Sequence, residues 1–125
     1  MNKLKTILVG TDFSDCSRSA LEQAVRLAKS NHAQFHALHS VEYLTLSDAA
    51  YASHIPHEKL EQDAVAEAKQ RLQHWLAEAG ASSDAQALVD LGTPIDCVLR
   101  RVRETQADLL VLGVGAGAAT ARVRR

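Results

Sequence analysis

Apolar residues recur along this chain in two alternating rhythms: short unbroken runs, and stripes spaced three and four residues apart. Residues 4–9 (LKTILV) form an aliphatic, β-branched run that gives way to turn chemistry at Gly10, Thr11 and Asp12, which predicts a buried strand. Ser14 then opens a stretch in which Ala20, Leu21, Ala24, Val25, Leu27 and Ala28 share one face, an amphipathic helix of about four turns. Residues 33–41 (AQFHALHSV) have strand length, and a polar connection follows to about Pro56. Over residues 57–79, Leu60, Ala64, Ala68, Leu72, Trp75, Leu76 and Ala79 again line one helical face, with Gly80 as the stop. A third short strand over 85–91 leads to Gly92, Thr93 and Pro94, which supply a turn, a capping oxygen and a proline for the first helical position. Ile95, Val98, Leu99 and Val102 make the third stripe, and residues 108–113 (DLLVLG) read as a strand buried on both faces.

Strand and helix alternate throughout, so the pattern specifies an α/β fold: an open, mostly parallel sheet covered by helices on both faces through right-handed crossovers. In such sheets ligands bind beyond the carboxyl ends of the strands, where the strand order reverses. The residues that reach this edge are 10–12, 40–42, 90–93 and those from Gly113 onward. A length of 125 residues makes this a single domain over 1–125, with 114–125 read as a loop or tail.

Charge narrows the function classes. Fourteen basic residues against fifteen acidic ones leave a net charge of −1, which argues against nucleic acid or an anionic membrane as a partner. The distribution is uneven: the last 26 residues carry six arginines against two carboxylates, net +4, and the first 99 stand at −5. The Arg-rich end reads as a solvated helix face plus a tail. With no apolar run of membrane-spanning length and no export signal at the start, the chain is expected to be soluble and cytoplasmic. Cys16 and Cys97 fit thiols kept reduced.

Several chemistries are weighed by spacing. Residues 113–118 satisfy the letters G-x-G-x-x-A, but the dinucleotide motif belongs at the first strand-to-helix turn with an acidic residue about twenty positions on. Here twelve residues follow Gly113, and no G-K-[ST] phosphate loop exists. A generic phosphate contact at 113–117 stays open beside a plain terminal loop. Asp12 and Asp90 both fall at strand ends on the ligand edge, yet the lysine a phospho-accepting receiver needs on a later strand is missing. Asp12 therefore reads as a hydrogen-bond acceptor for a ligand base, or as a turn and helix-start residue. His54 and His57 are separated by Pro56, and His36 and His39 should point to opposite faces of a strand, so no metal site is expected. Cys16 near a helix start has no base placed beside it for nucleophilic catalysis.

The ordered pieces LKTILVGTDFSDCSRSALEQAVRLA, FHALHSVE and GTPIDCVLRRVRETQADLLVLG resemble the universal stress protein family over residues 3–113. The resemblance implies strand order 3-2-1-4-5, a cytoplasmic homodimer and a stress-response role, with ATP or AMP bound in a regulatory capacity. At most a weak ATPase activity, and no metal beyond a Mg²⁺ accompanying the nucleotide, would go with it. Carried over by position, Asp12 would accept from the adenine edge while Thr11 and Val41 line the base. Leu112 and Gly113 would contribute backbone contacts near ribose and phosphates, with Gly115 or Gly117 as substitute glycines. ATP-binding members carry a glycine three positions after the one matched by Gly113. This chain has Ala116 there, and the family's third glycine would lie beyond Arg125. The family's last helix and strand are also missing, which would leave the fourth strand an edge to be covered by a partner subunit or a folded-back tail. The alternative within the same fold is a dimeric interaction protein that binds no nucleotide.

Overall fold

The computed structural model describes residues 4–42, 52, 54–114 and 117–123. Strand β1 (Thr6–Gly10) runs into helix α1 (Asp15–Asn31), β2 (Gln34–Val41), α2 (His57–Glu78), β3 (Gln86–Leu91), α3 (Pro94–Thr105), β4 (Leu109–Val114) and β5 (Gly117–Arg122). The sheet order is β3-β2-β1-β4-β5. The first four strands are parallel, with Ile7 opposite both Phe35 and Leu109, so β1 is central and the order reverses between β1 and β4. This is the α/β architecture read from the pattern.

Alternation along the strands sorts the core into two layers. Ile7, Val9, Phe35, Ala37 and Val111 pack against Leu21, Ala24, Leu72 and Trp75, which puts α1 and α2 on one face. Leu8, Leu38 and Leu110 meet Cys97, Val98 and Val102 of α3 on the other. Ile7, Leu8 and Val9 are fully buried, and each contributes about 1.5–3 kcal/mol relative to exposure. The helices start where the sequence supplies caps: Ser14 Oγ accepts from the Ser17 N–H, and Thr93 Oγ1 from the Asp96 N–H with Pro94 in the first turn. No helix among the described residues is long and apolar enough to cross a membrane.

The chain's end departs from the reading as a loop or tail. Residues 117–122 turn back and pair antiparallel with β4, Leu112 opposite Ala119 and Leu109 opposite Arg122. GAATAR offers a strand predictor only Thr120, but β4 presents a full ladder of unpaired amides and carbonyls. Satisfying it outweighs weak intrinsic propensity. The fifth strand is therefore present, as a folded-back hairpin arm.

Arg100 and Arg101 of α3 also differ from a solvated face. Arg101 grips Asp90 through two hydrogen bonds of 2.7 Å, Nε to Oδ2 and Nη2 to Oδ1, and reaches Glu104 at 3.0 Å. Arg100 lies 3.2 Å from the same carboxylate. The guanidinium of Arg101 holds the Asp90 carboxyl below its ordinary range, with Arg100 assisting. Asp90 thus ties α3 to β3 and is consumed by packing.

Candidate functional site

Beyond the tips of β1, β2 and β4 lies an open cavity of about 560 Å³, within the size range of small-ligand sites. Thr11, Asp12, Val41, Leu112 and Gly113, the positions singled out in the sequence, all line it. Gly115 lies outside the described residues. Asp90 does not reach the cavity lining.

The turn after β1 is built by its own side chains. The Thr11 N–H donates to the Leu38 carbonyl at 2.9 Å, and Thr11 Oγ1 accepts from the Phe13 N–H at 3.1 Å. Asp12 Oδ1 accepts from the Ser14 N–H at 2.9 Å and from the Ser17 hydroxyl, whose Oγ in turn accepts from the Asp12 N–H at 3.0 Å. The side-chain hydrogen bonds of Ser14 and then Ser17 stabilise the carboxylate and lower its pKa from 3.8 to about 2. Asp12 is consequently an anion and a pure acceptor at neutral pH, and it is exposed at the cavity rim.

Gly113 is set by close approach. A Cβ there would stand 2.5 Å from the Cys16 carbonyl carbon and 2.6 Å from the Ser17 nitrogen, so β4 can lie against the first turn of α1 only with glycine at this position. The same contact brings the N-terminal end of α1 to the cavity through Ser17. Pro94 and Val98 bring the start of α3 to it. Two helix N-termini with partial positive charge therefore border one opening.

His39 was not among the positions expected to matter. It lines the cavity, and its Nδ1 lies 2.9 Å from the Thr11 carbonyl. A carbonyl only accepts, so Nδ1 carries the proton and Nε2 of the neutral ring is an acceptor. The imidazole packs against Phe13 on the α1–α2 face, the rings tilted by 39° with centroids 4.4 Å apart, while His36 lies by Arg101 on the α3 side, as their spacing predicted. A histidine one residue from a strand end carries the period-two signal for its face, but not for its neighbour across the turn. Among the described residues the lining holds the carboxylates of Asp12 and Glu42 and no lysine or arginine. No group of three or more His, Cys, Asp or Glu there is placed to hold a metal ion.

Comparison with known proteins adds to this geometry. The sequence pattern of the universal stress protein family matches residues 3–123. No curated protein matches the sequence significantly. Among solved structures, a universal stress protein in complex with cAMP superposes with a TM-score of 0.57 at 23% identity, over 87% of this chain and 71% of that one. The universal stress protein UspA from Lactobacillus plantarum superposes at 0.69 with 23% identity, over 90% and 78%. A universal stress protein family member from Burkholderia pseudomallei gives 0.57 at 24% identity, over 89% and 82%.

Proposed function

Given that this chain belongs to the universal stress protein family, we propose that it is a regulatory stress-response module, acting as a homodimer, that binds an adenine nucleotide at the tips of β1, β2 and β4. The single observation that carries the reading is the convergence of Thr11, Asp12, Val41, Leu112 and Gly113 on one cavity at the point where the strand order reverses. The cAMP complex of a structural neighbour supports the ligand class.

The charges of the lining narrow the ligand further. Asp12 and Glu42 repel phosphate, and among the described residues the lining offers no cation to offset them. The partial positive charge at the starts of α1 and α3 is small and suits a ligand of low charge. A cyclic or monophosphate adenine nucleotide therefore fits better than ATP, which would need Mg²⁺ to mask its phosphates. Asp12 accepts from the adenine amino group, Thr11 and Val41 flank the base, and the Leu112–Gly113 backbone faces the sugar. The Ser17 hydroxyl is paired with the Asp12 carboxylate in the lining, but a carboxylate whose pKa is lowered to about 2 is too weak a base to activate it, so the role is binding rather than turnover.

Thermal unfolding with cAMP, AMP, ATP and ATP plus Mg²⁺ tests this. A ligand at a hundred times its dissociation constant adds about 2.7 kcal/mol to stability. The expected order is cAMP and AMP ahead of metal-free ATP, with the effect lost in Asp12→Ala. No stabilisation by any adenine nucleotide would reject the ligand.

A further inference from the structure

The two faces of the sheet are unequally covered. α1 and α2 share one, and α3 stands alone on the other, because β4 returns directly into β5 with no crossover helix between them. On the α3 face, Leu110 and Leu112 are only partly buried, and Ala119 and Ala121, opposite Leu112 and Leu110 in the hairpin, are exposed. The wall beside them is apolar too. Ile95 is 72% exposed and Leu99 55%, far above Ile55 at 39%, the other large exposed hydrophobic among the described residues.

Ile95 and Leu99 follow the spacing i, i+4 and so fall within about 40° of one another around the helix, and Val102, partly buried in the core layer, closes the stripe on its sheet side. The opposite side of α3 is occupied, with Cys97 in the core and Arg101 on Asp90. The apolar stripe is bordered on its solvent side by Asp96 and Arg103, both exposed and without an ion pair among the described residues. These two charges lie two turns apart, about 10 Å along the axis, at opposite ends of the stripe.

That arrangement is its own complement. If a second α3 lies antiparallel across a two-fold axis near Leu99, each Asp96 meets the other copy's Arg103 and the two apolar stripes face each other. A parallel pair, with the two-fold axis along the helices, would instead put these charges on opposite flanks of the seam and bring no Asp96 to an Arg103. A two-fold interface requires a patch to match itself, and this one does in shape class, polarity and charge. We propose that a second copy of this chain docks on the α3 face, the two α3 helices antiparallel with reciprocal Asp96–Arg103 pairs. The inference rests on the homodimer of the reading above and assigns its surface.

Sedimentation velocity of the full chain over micromolar concentrations tests it, with circular dichroism and thermal melts as the check on folding. The wild type forms a dimer. Leu99→Glu, at an exposed position, raises the dissociation constant at least tenfold while spectrum and melting midpoint hold. Asp96→Arg and Arg103→Asp each weaken the dimer, and the double swap Asp96→Arg/Arg103→Asp restores it. A dimer indifferent to Leu99→Glu overturns the assignment and leaves the homodimer standing. Failure of the double swap to restore association overturns the antiparallel pairing. A monomer at every concentration overturns both.

Discussion

Phe13 holds a left-handed backbone, φ 63, in a residue whose bulk disfavours it by about 1–2 kcal/mol. Its ring is gripped by His39 at 4.4 Å, by the edge of Trp75 at 5.1 Å and by the Arg71 guanidinium at 4.2 Å. These contacts offset the strain. Phe13→Ala should lose the packing and keep the strain, whereas Phe13→Gly loses the packing and relieves the strain. The glycine variant is thus expected to be about 1 kcal/mol more stable than the alanine variant in urea denaturation. Its neighbour Asp12 makes a pH-dependent contribution. Because folding lowers its pKa from 3.8 to about 2, the ionised carboxylate stabilises the fold above about pH 4, and the effect fades as pH falls through 2. At this exposed position solvent screening reduces the gain to about 1 kcal/mol. Urea unfolding of Asp12→Asn should show that deficit at pH 7 and converge with wild type near pH 2.

At the scale of the elements, the hairpin arm is the least self-sufficient piece. β5 has exposed residues over 119–122 and is held by its ladder to β4 and by contact with α1. Thr120→Pro removes a backbone donor and bends the strand, so β4 should lose its cover. The expected result is loss of β5 amide protection in hydrogen exchange and faster aggregation on warming, followed by light scattering. Local signals explain which elements were legible in the sequence. The Ser14 and Thr93 caps, the stop at Gly80 and the aliphatic runs of β1 and β4 fixed α1, α2, α3 and the inner strands to within a residue or two. β5 was legible only as the need of β4 for a cover, which the folded-back tail meets; its strand character comes from pairing with β4, not from its own residues. Asp90 was misplaced for a related reason: its spacing gives a strand end, but its fate depends on Arg101, eleven residues away on another element. In the site, the positions at strand tips follow from alternation, while His39's bond to Thr11 spans 28 residues and leaves no local trace.

For the molecule as a whole, β1 is the keystone. It pairs on one side with β2 and on the other with β4, about a hundred residues later, and its central residues have no exposure. Only global unfolding can release them, so native-state hydrogen exchange should find the slowest amides in residues 7–10. β5 and the start of α3 should exchange through smaller openings. The sheet's central pairing also requires closing a long loop, which places the protein among slower-folding topologies for its size.

The reversal at the sheet's edge also decides where attachments can go. Since β5 runs opposite to β4, Arg122 sits beside Leu109, at the end of the sheet farthest from the tips of β1 and β4. A fluorophore or affinity handle placed at Val123 would emerge on that remote side. Tethering the molecule there should leave the cleft open to solution, whereas the same label on Glu42 would block its entrance.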